Sequence, residues 1–373
     1  MKVLFVLDYF PPHVGGAETL FDNMTRELSR LGVGVTILTQ RLPNTKAFEI
    51  SQDRRIHRIY SPVRHAFAVV AAKKCIRLAN NSDIVHAATL GGLAAVALVE
   101  KFIKKPVVAT IFEVWGGLFL KLQKPPMSVI NYVTESASLD KYKKRFCVAI
   151  SRATKNALVK NGFDEKKVSV VYPGVDINLF NRNAKLSLRK KKPTILFLGR
   201  PGVAKGINYL IKAMPMVKAA LPEARLLLLL SKNPAGEYKK TVSLVAKLNL
   251  SDSVEFLDPR PVKQLPGIIK SADVCVVPSV SEGFGFSAAE AAACGTPVVA
   301  SNTGSLPEIV KNGYNGLLSE PANPGSIAKN VIKVLSDKNL RRRLSLNGPR
   351  SVKTFRWDKA AKEYLKIYKS VLK

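Results

Sequence analysis

Two glutamates, Glu282 and Glu290, are separated by seven residues in the run Ser279-Val280-Ser281-Glu282-Gly283-Phe284-Gly285-Phe286-Ser287-Ala288-Ala289-Glu290. The apolar strand Val274–Val277 ends at Pro278, and a helix starts near Ala288. That places Glu282 in a loop and Glu290 in the first turn of the helix, with both carboxylates facing the mouth of a sheet. Carboxylates there accept hydrogen bonds from paired hydroxyls, as on a sugar or ribose. Ser287-x-x-Glu290 also reads as a capping box, in which Glu290 serves only the helix end. That reading leaves Glu282 and the Gly283/Gly285 pair unexplained.

Two more glycine-rich turns sit where a strand hands over to a helix. Gly199-Arg200-Pro201-Gly202-Val203-Ala204-Lys205-Gly206 sets one arginine and one lysine beside exposed backbone amides, a set that suits a diphosphate. Lys205 is followed by Gly206 and not by Ser or Thr, so this is not a Walker loop; it is not a GxGxxG fingerprint either. A solvated basic turn is the plainer alternative. Near the start of the chain, Pro11-Pro12-His13-Val14-Gly15-Gly16-Ala17-Glu18 precedes a helix whose free N–H groups could meet an anion. An ordinary tight turn would carry the same residues.

The elements that position these turns are legible as alternation. Strands are expected at Lys2–Leu7, Gly34–Thr39, Ile84–Ala87, Val107–Ile111, Cys147–Ile150 and Val168–Tyr172, with helical patterns between them. A stretch without apolar period, Asn181 to Pro193, reads as a linker, after which the alternation restarts at Thr194–Leu198. Strands separated by helices predict a parallel, doubly wound sheet, and the restart predicts a second. The expected domains are 1–183 and 184–356, with a last helix over 357–373 packing back on the first. Ligands in such sheets bind beyond the carboxyl ends of the strands, so two such ends facing each other predict a cleft.

Composition narrows the class. The 373 residues are nearly half apolar, enough for two ordinary cores. Four cysteines, Cys75, Cys147, Cys275 and Cys294, lie too far apart for a metal or disulfide spacing, which fits a reducing compartment. The longest uncharged apolar stretch, about Ile84 to Val99, falls short of the about 18 residues a membrane span requires. Met1 to Leu7 imitates a signal peptide until Asp8 interrupts it, so a first strand is expected there. The formal net charge is +32, divided as roughly +13 over residues 1–183 and roughly +19 beyond. Such a charge fits a solvated surface, an anionic membrane, nucleic acid or an anionic substrate. No basic face interleaved with aromatics and no nucleic-acid motif accompanies it, which argues against nucleic acid. Trp115 to Lys124 alternates Leu118, Phe119, Leu120 and Leu122 with Lys121 and Lys124, and Lys141, Lys143, Lys144 and Arg145 follow. It reads equally as an anionic-membrane dock and as a loop packing inward.

The Glu282–Glu290 stretch continues through Ala291-Ala292-Ala293-Cys294-Gly295-Thr296-Pro297-Val298-Val299-Ala300-Ser301. In this it resembles the donor-site signature of glycosyltransferase family 4. Gly304, Pro307-Glu308-Ile309-Val310 and Asn315-Gly316 continue in the family's manner, as do Ile150-Ser151, Pro173-Gly174-Val175-Asp176 and Phe180 upstream. The resemblance covers nearly the whole chain. It implies a GT-B fold of two Rossmann-like α/β domains facing each other across a cleft, and a retaining transferase using a nucleotide-sugar donor without a divalent metal or other cofactor. It further implies that Glu290 holds the ribose hydroxyls and Glu282 those of the transferred sugar. Arg200 and Lys205, beside Gly199, would neutralise the diphosphate, with Gly15 and Gly16 contributing from the opposite side. Gly283, Phe284, Gly285, Phe286 and Ser287 would touch the donor through their backbone. Two cations can take the role a metal plays elsewhere at a leaving diphosphate. The family commonly has a histidine where this chain has Phe112, before Glu113; either Glu113 or another group compensates, or the donor preference has changed, or the enzyme is weak. With Phe112 and Glu113, His86 at another strand end is a candidate cleft residue, and a packed or solvated histidine is the plainer reading of it. The expected acceptor is lipid-linked or another glycan, and the expected location is cytoplasmic, with peripheral contact to the inner face of the membrane. A nucleotide-sugar 2-epimerase shares the fold and donor, but no acid/base set for proton abstraction is evident.

Overall fold

The strands expected from the alternation assemble into two sheets. The computed structural model of the protein describes residues 1–63, 66–187 and 192–373, so Arg189, Lys190 and Lys191 of the expected linker lie outside the described residues. One unit comprises Met1–Gly174 with Phe355–Lys373, the other Val175–Thr354. The chain around residue 183 is tied to the second unit. Lys270 Nζ donates to the Arg182 carbonyl oxygen, and Ser187 N donates to Gly267 O at 3.2 Å and to Ser271 Oγ at 3.1 Å.

The first unit runs β1 (Lys2–Val6), α1 (Gly16–Arg30), β2 (Gly34–Gln40), β3 (Phe48–Ser51), β4 (Arg54–Ile59), α2 (Phe67–Asn80), β5 (Ile84–Ala88) and α3 (Leu90–Val99). It continues through β6 (Val107–Ile111), α4 (Leu118–Leu122), α5 (Met127–Tyr142), β7 (Phe146–Ala149), α6 (Arg152–Lys160) and β8 (Val168–Val170). The sheet order is β3-β4-β2-β1-β5-β6-β7-β8, parallel except for β3 against β4. The β3–β4 hairpin has no apolar alternation because arginines occupy its inward positions. Arg54 is 3% exposed and donates to Asp22 Oδ1 at 2.9 Å and Thr25 Oγ1 at 3.0 Å. Arg58 pairs with Glu49 at 2.7 Å and donates to the Pro11 carbonyl at 2.8 Å. A buried arginine is tolerated only with such partners.

In the second unit β9 (Thr194–Gly199), α7 (Ile207–Ala220), β10 (Arg225–Leu230), α8 (Ala235–Lys247), β11 (Val254–Leu257), α9 (Leu265–Ser271) and β12 (Val274–Val277) follow in turn. Then come α10 (Phe286–Ala293), β13 (Val298–Ser301), α11 (Leu306–Ile309), β14 (Gly316–Ser319), α12 (Pro324–Ser336) and α13 (Lys338–Val352). This sheet is wholly parallel, in the order β11-β10-β9-β12-β13-β14. Helices cover both faces, so β10 can be five leucines in succession, all buried.

The last helix, α14 (Trp357–Val371), belongs to the first unit. It is bonded there through His86, which is fully buried: Tyr368 Oη lies 2.7 Å from Nδ1, and Thr110 Oγ1 lies 2.8 Å from Nε2. The Tyr364 hydroxyl is 3.0 Å from Thr110 Oγ1. His86 is thus a core histidine, not a ligand-facing one, which corrects the expectation that it lines a cleft. Its place in the middle of β5, under α14, leaves it no route to solvent. Burial pulls its pKa down to about 3, from 6.5. The neutral ring is favoured in the fold, so this contribution is fully present above pH 6.5 and is lost as pH falls toward 3. Tyr368→Phe should leave a ring nitrogen unsatisfied and cost about 1–3 kcal/mol in urea unfolding. His86→Gln should lose stability less steeply than wild type between pH 6.5 and 3.

Candidate active site

In the second sheet β9 and β12 are neighbours, although α7, β10, α8, β11 and α9 separate them in the chain. The strand order reverses there, so their two exit loops open side by side. The loop after β9 makes one tight turn over Val203–Lys205 and reaches Gly206, at φ +65°, whose missing Cβ would overlap the Pro278 carbonyl of the other loop. Only glycine combines that backbone with that approach. Val280 N then donates to Ala204 O at 2.7 Å, tying one loop to the other.

This contact brings two expected site residues together. Lys205 Nζ lies 2.8 Å from Glu282 Oε2, and Ser279 Oγ donates to the same oxygen at 3.0 Å. Glu282 is held from behind by the loop after β13. Ser305 N and Oγ both donate to the Glu282 carbonyl, at 3.0 and 3.1 Å, and Thr303 Oγ1 donates to Val280 O at 3.1 Å. The glutamate side chain is 11% exposed and the lysine 37%. Glu282 Oε1 has no hydrogen bond among the described residues, so one oxygen stays available. Arg200 is exposed and makes no ion pair with a described residue.

Helix α10 begins at Phe286, after Gly285 in the left-handed region at φ +95°, and no side chain caps it. The capping-box reading of Ser287 and Glu290 therefore fails. The helix starts two residues earlier than expected, which puts Glu290 in its second turn. Glu290 is partly buried, and its carboxyl has no hydrogen-bond partner among the described residues. Burial raises it to about 8. Phe284 is 2% exposed, its ring against Phe286 at 5.0 Å, so it leaves a ligand its backbone only. Gly283 is buried, and Ser287 is partly exposed.

The first sheet reverses its order between β1 and β5, and this point holds residues that the motif reading passed over. Asp8, directly after β1, accepts from Gly92 N at 2.8 Å and donates its own N–H to Thr89 Oγ1 at 2.9 Å. His13 Nδ1 lies 2.9 Å from Glu18 Oε1, and the Glu18 carboxylate rests against Gly15, beside Gly16, the first residue of α1. The signal for Asp8 was present as a carboxylate ending the first strand. The His13–Glu18 pair links the turn before α1 to the first turn of that helix, and no periodicity announces it. Phe112, after β6, is partly buried with its ring 6.0 Å from Phe21, and the neighbouring Glu113 accepts from the Trp115 indole at 2.9 Å. Glu135 of α5, also unforeseen, is buried and accepts from the N–H groups of Trp115 and Gly116 at 3.1 and 2.7 Å.

Comparison with known proteins identifies the family and the fold. The family described as Glycosyltransferase Family 4 matches residues 14–179, and that described as Glycosyl transferases group 1 matches 180–351. An uncharacterized glycosyltransferase of Methanocaldococcus jannaschii is 31% identical, over 99% of this chain and 98% of its own. Among solved structures, sucrose-phosphate synthase from Thermosynechococcus elongatus superposes with a TM-score of 0.86 at 24% identity, covering 99% of this chain and 98% of that one. Anabaena HepE in complex with UDP-glucose gives 0.82 at 19% identity, covering 99% and 100%. The fold is that of the GT-B glycosyltransferases.

A carboxyl raised by burial has a definite effect on stability. The folded value of about 8 lies above the ordinary 4.5, so the contribution of Glu290 is fully present below pH 4.5 and lost as pH rises through 8. Glu290→Gln should therefore be more stable than wild type at pH 8.5, by about 1 kcal/mol or more, since one pKa unit corresponds to about 1.4 kcal/mol. The difference should vanish near pH 4.5 in a pH series of thermal unfolding.

Proposed function

We propose, since the chain belongs to glycosyltransferase family 4 and is a glycosyltransferase, that its donor is a nucleotide sugar held at the carboxyl ends of the second sheet. The observation that carries this reading is the constellation of Lys205, Glu282 and Ser279 at the point where that sheet reverses order. In the free protein Glu282 occupies the lysine. An arriving diphosphate competes for Lys205, joined by exposed Arg200, and leaves Glu282 to accept hydroxyls of the sugar. As the sugar leaves, the two cations stabilise the charge that develops on the diphosphate. Glu290, which lacks a partner, takes the ribose hydroxyls. Transfer proceeds with retention and without a divalent metal. A hydrogen bond is worth about 0.5–1.5 kcal/mol between neutral groups and about 1.5–3 kcal/mol to a charged one, which together span roughly a few-fold to a hundredfold. Glu290→Ala should lower the affinity for a free nucleoside diphosphate by that factor in calorimetry. Glu282→Ala should spare that affinity and lower turnover, assayed in excess EDTA. Equal loss of nucleotide by both variants, or wild-type turnover abolished by EDTA and restored by magnesium, would refute the assignment.

The acceptor is proposed to be lipid-linked, reached from an anionic membrane surface. No helix among the described residues is long and apolar enough to cross a membrane. Of the apolar residues expected at the bilayer, Leu120 is exposed and Phe119 is not. Phe119 is 8% exposed and stacks on Trp115 at 5.1 Å, whereas Leu120, Met127, Val129, Ile130, Tyr132 and Val133 are exposed along α4 and α5. Lys121 and Lys124 flank them, also exposed. Apolar side chains can settle at the headgroup boundary while lysines meet anionic lipid. Ile130→Ser with Val133→Ser should reduce flotation with phosphatidylglycerol liposomes and leave nucleotide binding intact. Wild-type protein that fails to float at low salt would rule this out.

A further inference from the structure

At the opposite end of the second sheet the structure holds a second basic concavity. It is an open basin of about 600 Å³ lined by Arg182, Lys270, Lys338, Arg341 and Arg342. Its rim residues Asp273 and Pro297 precede β12 and β13, so the basin lies at the amino ends of these strands. The four residues of β12, at about 3.3 Å each, separate it by about 13 Å from the loops that carry Lys205 and Glu282.

None of the five cations forms an ion pair with a described carboxylate. Lys270 Nζ and Arg341 Nη1 donate to the carbonyl oxygens of Arg182 and Leu335, which leaves their charge uncompensated. Among the described residues Asp273 is the one carboxylate on the rim, and it accepts from Thr194 N at 2.9 Å. Gathering five like charges around a concavity costs repulsion, and Lys338, Arg341 and Arg342 add to the cost because they sit in the early turns of α13, where the helix dipole is positive. Buried arginines elsewhere in the chain are neutralised, as Arg54 is by Asp22 and Arg58 by Glu49. A walled pocket of one sign focuses its field on an anion.

We propose that this basin binds a small oligophosphate anion, independently of the donor site. Its volume lies in the range of small-molecule sites. Among the described residues no aromatic side chain lines it, so it offers none of the stacking that single-stranded nucleic acid needs. Arginine forks and lysine ammonium groups on several sides fit phosphates that carry several charges close together. The phosphates are those of a free phosphorylated metabolite, and a phospholipid headgroup is the other source of the same chemistry.

The test is a calorimetric titration of the full chain with sodium tripolyphosphate at low ionic strength, against sulfate at matched ionic strength. Arg200→Ala with Lys205→Ala disables the donor loop, and in that background one saturable site should remain. Adding Lys338→Ala and Arg342→Ala, both exposed and unbonded among the described residues, should weaken it at least tenfold. Far-ultraviolet circular dichroism confirms that the variants fold, and Lys338→Glu alone should weaken binding if the double change does not fold. Loss of all binding in the donor-loop background would place the anion at the donor site and overturn the proposal. So would equal response to sulfate, or indifference to the basin substitutions. A response to phosphatidylglycerol vesicles without one to tripolyphosphate would also overturn it, since the surface would then dock lipid.

Discussion

Every strand of the second sheet runs the same way, and that constraint decides what its residues can do. Parallel strands deliver all their carboxyl ends to one edge, and each strand must be reached by a helical crossover. Because β9 and β12 are hydrogen-bonded neighbours, the turns that leave them have nowhere to go except toward each other. Gly206 lets them touch, and the Val280 to Ala204 hydrogen bond fixes the distance. The Lys205–Glu282 ion pair is the chemical result. Its partners come from opposite sides of a long insertion, and the loop after β13 holds the glutamate backbone against it.

The same loops give the two glutamates different states. Glu282 has a cation and a hydroxyl on one oxygen, while Glu290, on a helix of small residues packed against the sheet, has neither. Desolvation disfavours a charge that nothing compensates, so the Glu290 carboxyl moves up to about 8. One carboxylate is thus kept engaged by protein, and the other is left to find its partner in a ligand. Among the cations a similar contrast holds. Arg54 and Arg58 are buried and ion-paired, whereas the cations of the basin at the amino ends of β12 and β13 form no ion pair with a described carboxylate. A net charge of +32 says nothing of that division.

Much of the architecture was legible because parallel strands buried on both faces must be continuous apolar runs. Leu226 to Leu230, Val274 to Val277 and Val107 to Ile111 announce themselves in that way. Other elements carry no such signal. The β3–β4 hairpin escapes because Arg54 and Arg58 stand where apolar residues belong. Helix α5 escapes because its pattern is inverted, with Ser128, Glu135 and Ser138 buried while Val129, Ile130 and Val133 are exposed.

By itself the sequence determined the class of the fold, the glycine-rich turns and the candidate glutamates and cations, since these depend on residue type and local spacing. Tertiary structure alone decided which of them meet. Strand order, which no local pattern encodes, joined Lys205 to Glu282. The packing of α14 enclosed His86, which the sequence shows only as a histidine in an apolar strand, open to a packed, solvated or ligand-facing reading. The start of α10 at Phe286 removed the cap that Ser287 and Glu290 spell out in sequence. Burial and long-range pairing set the chemistry of each of these groups, and both depend on neighbours distant along the chain.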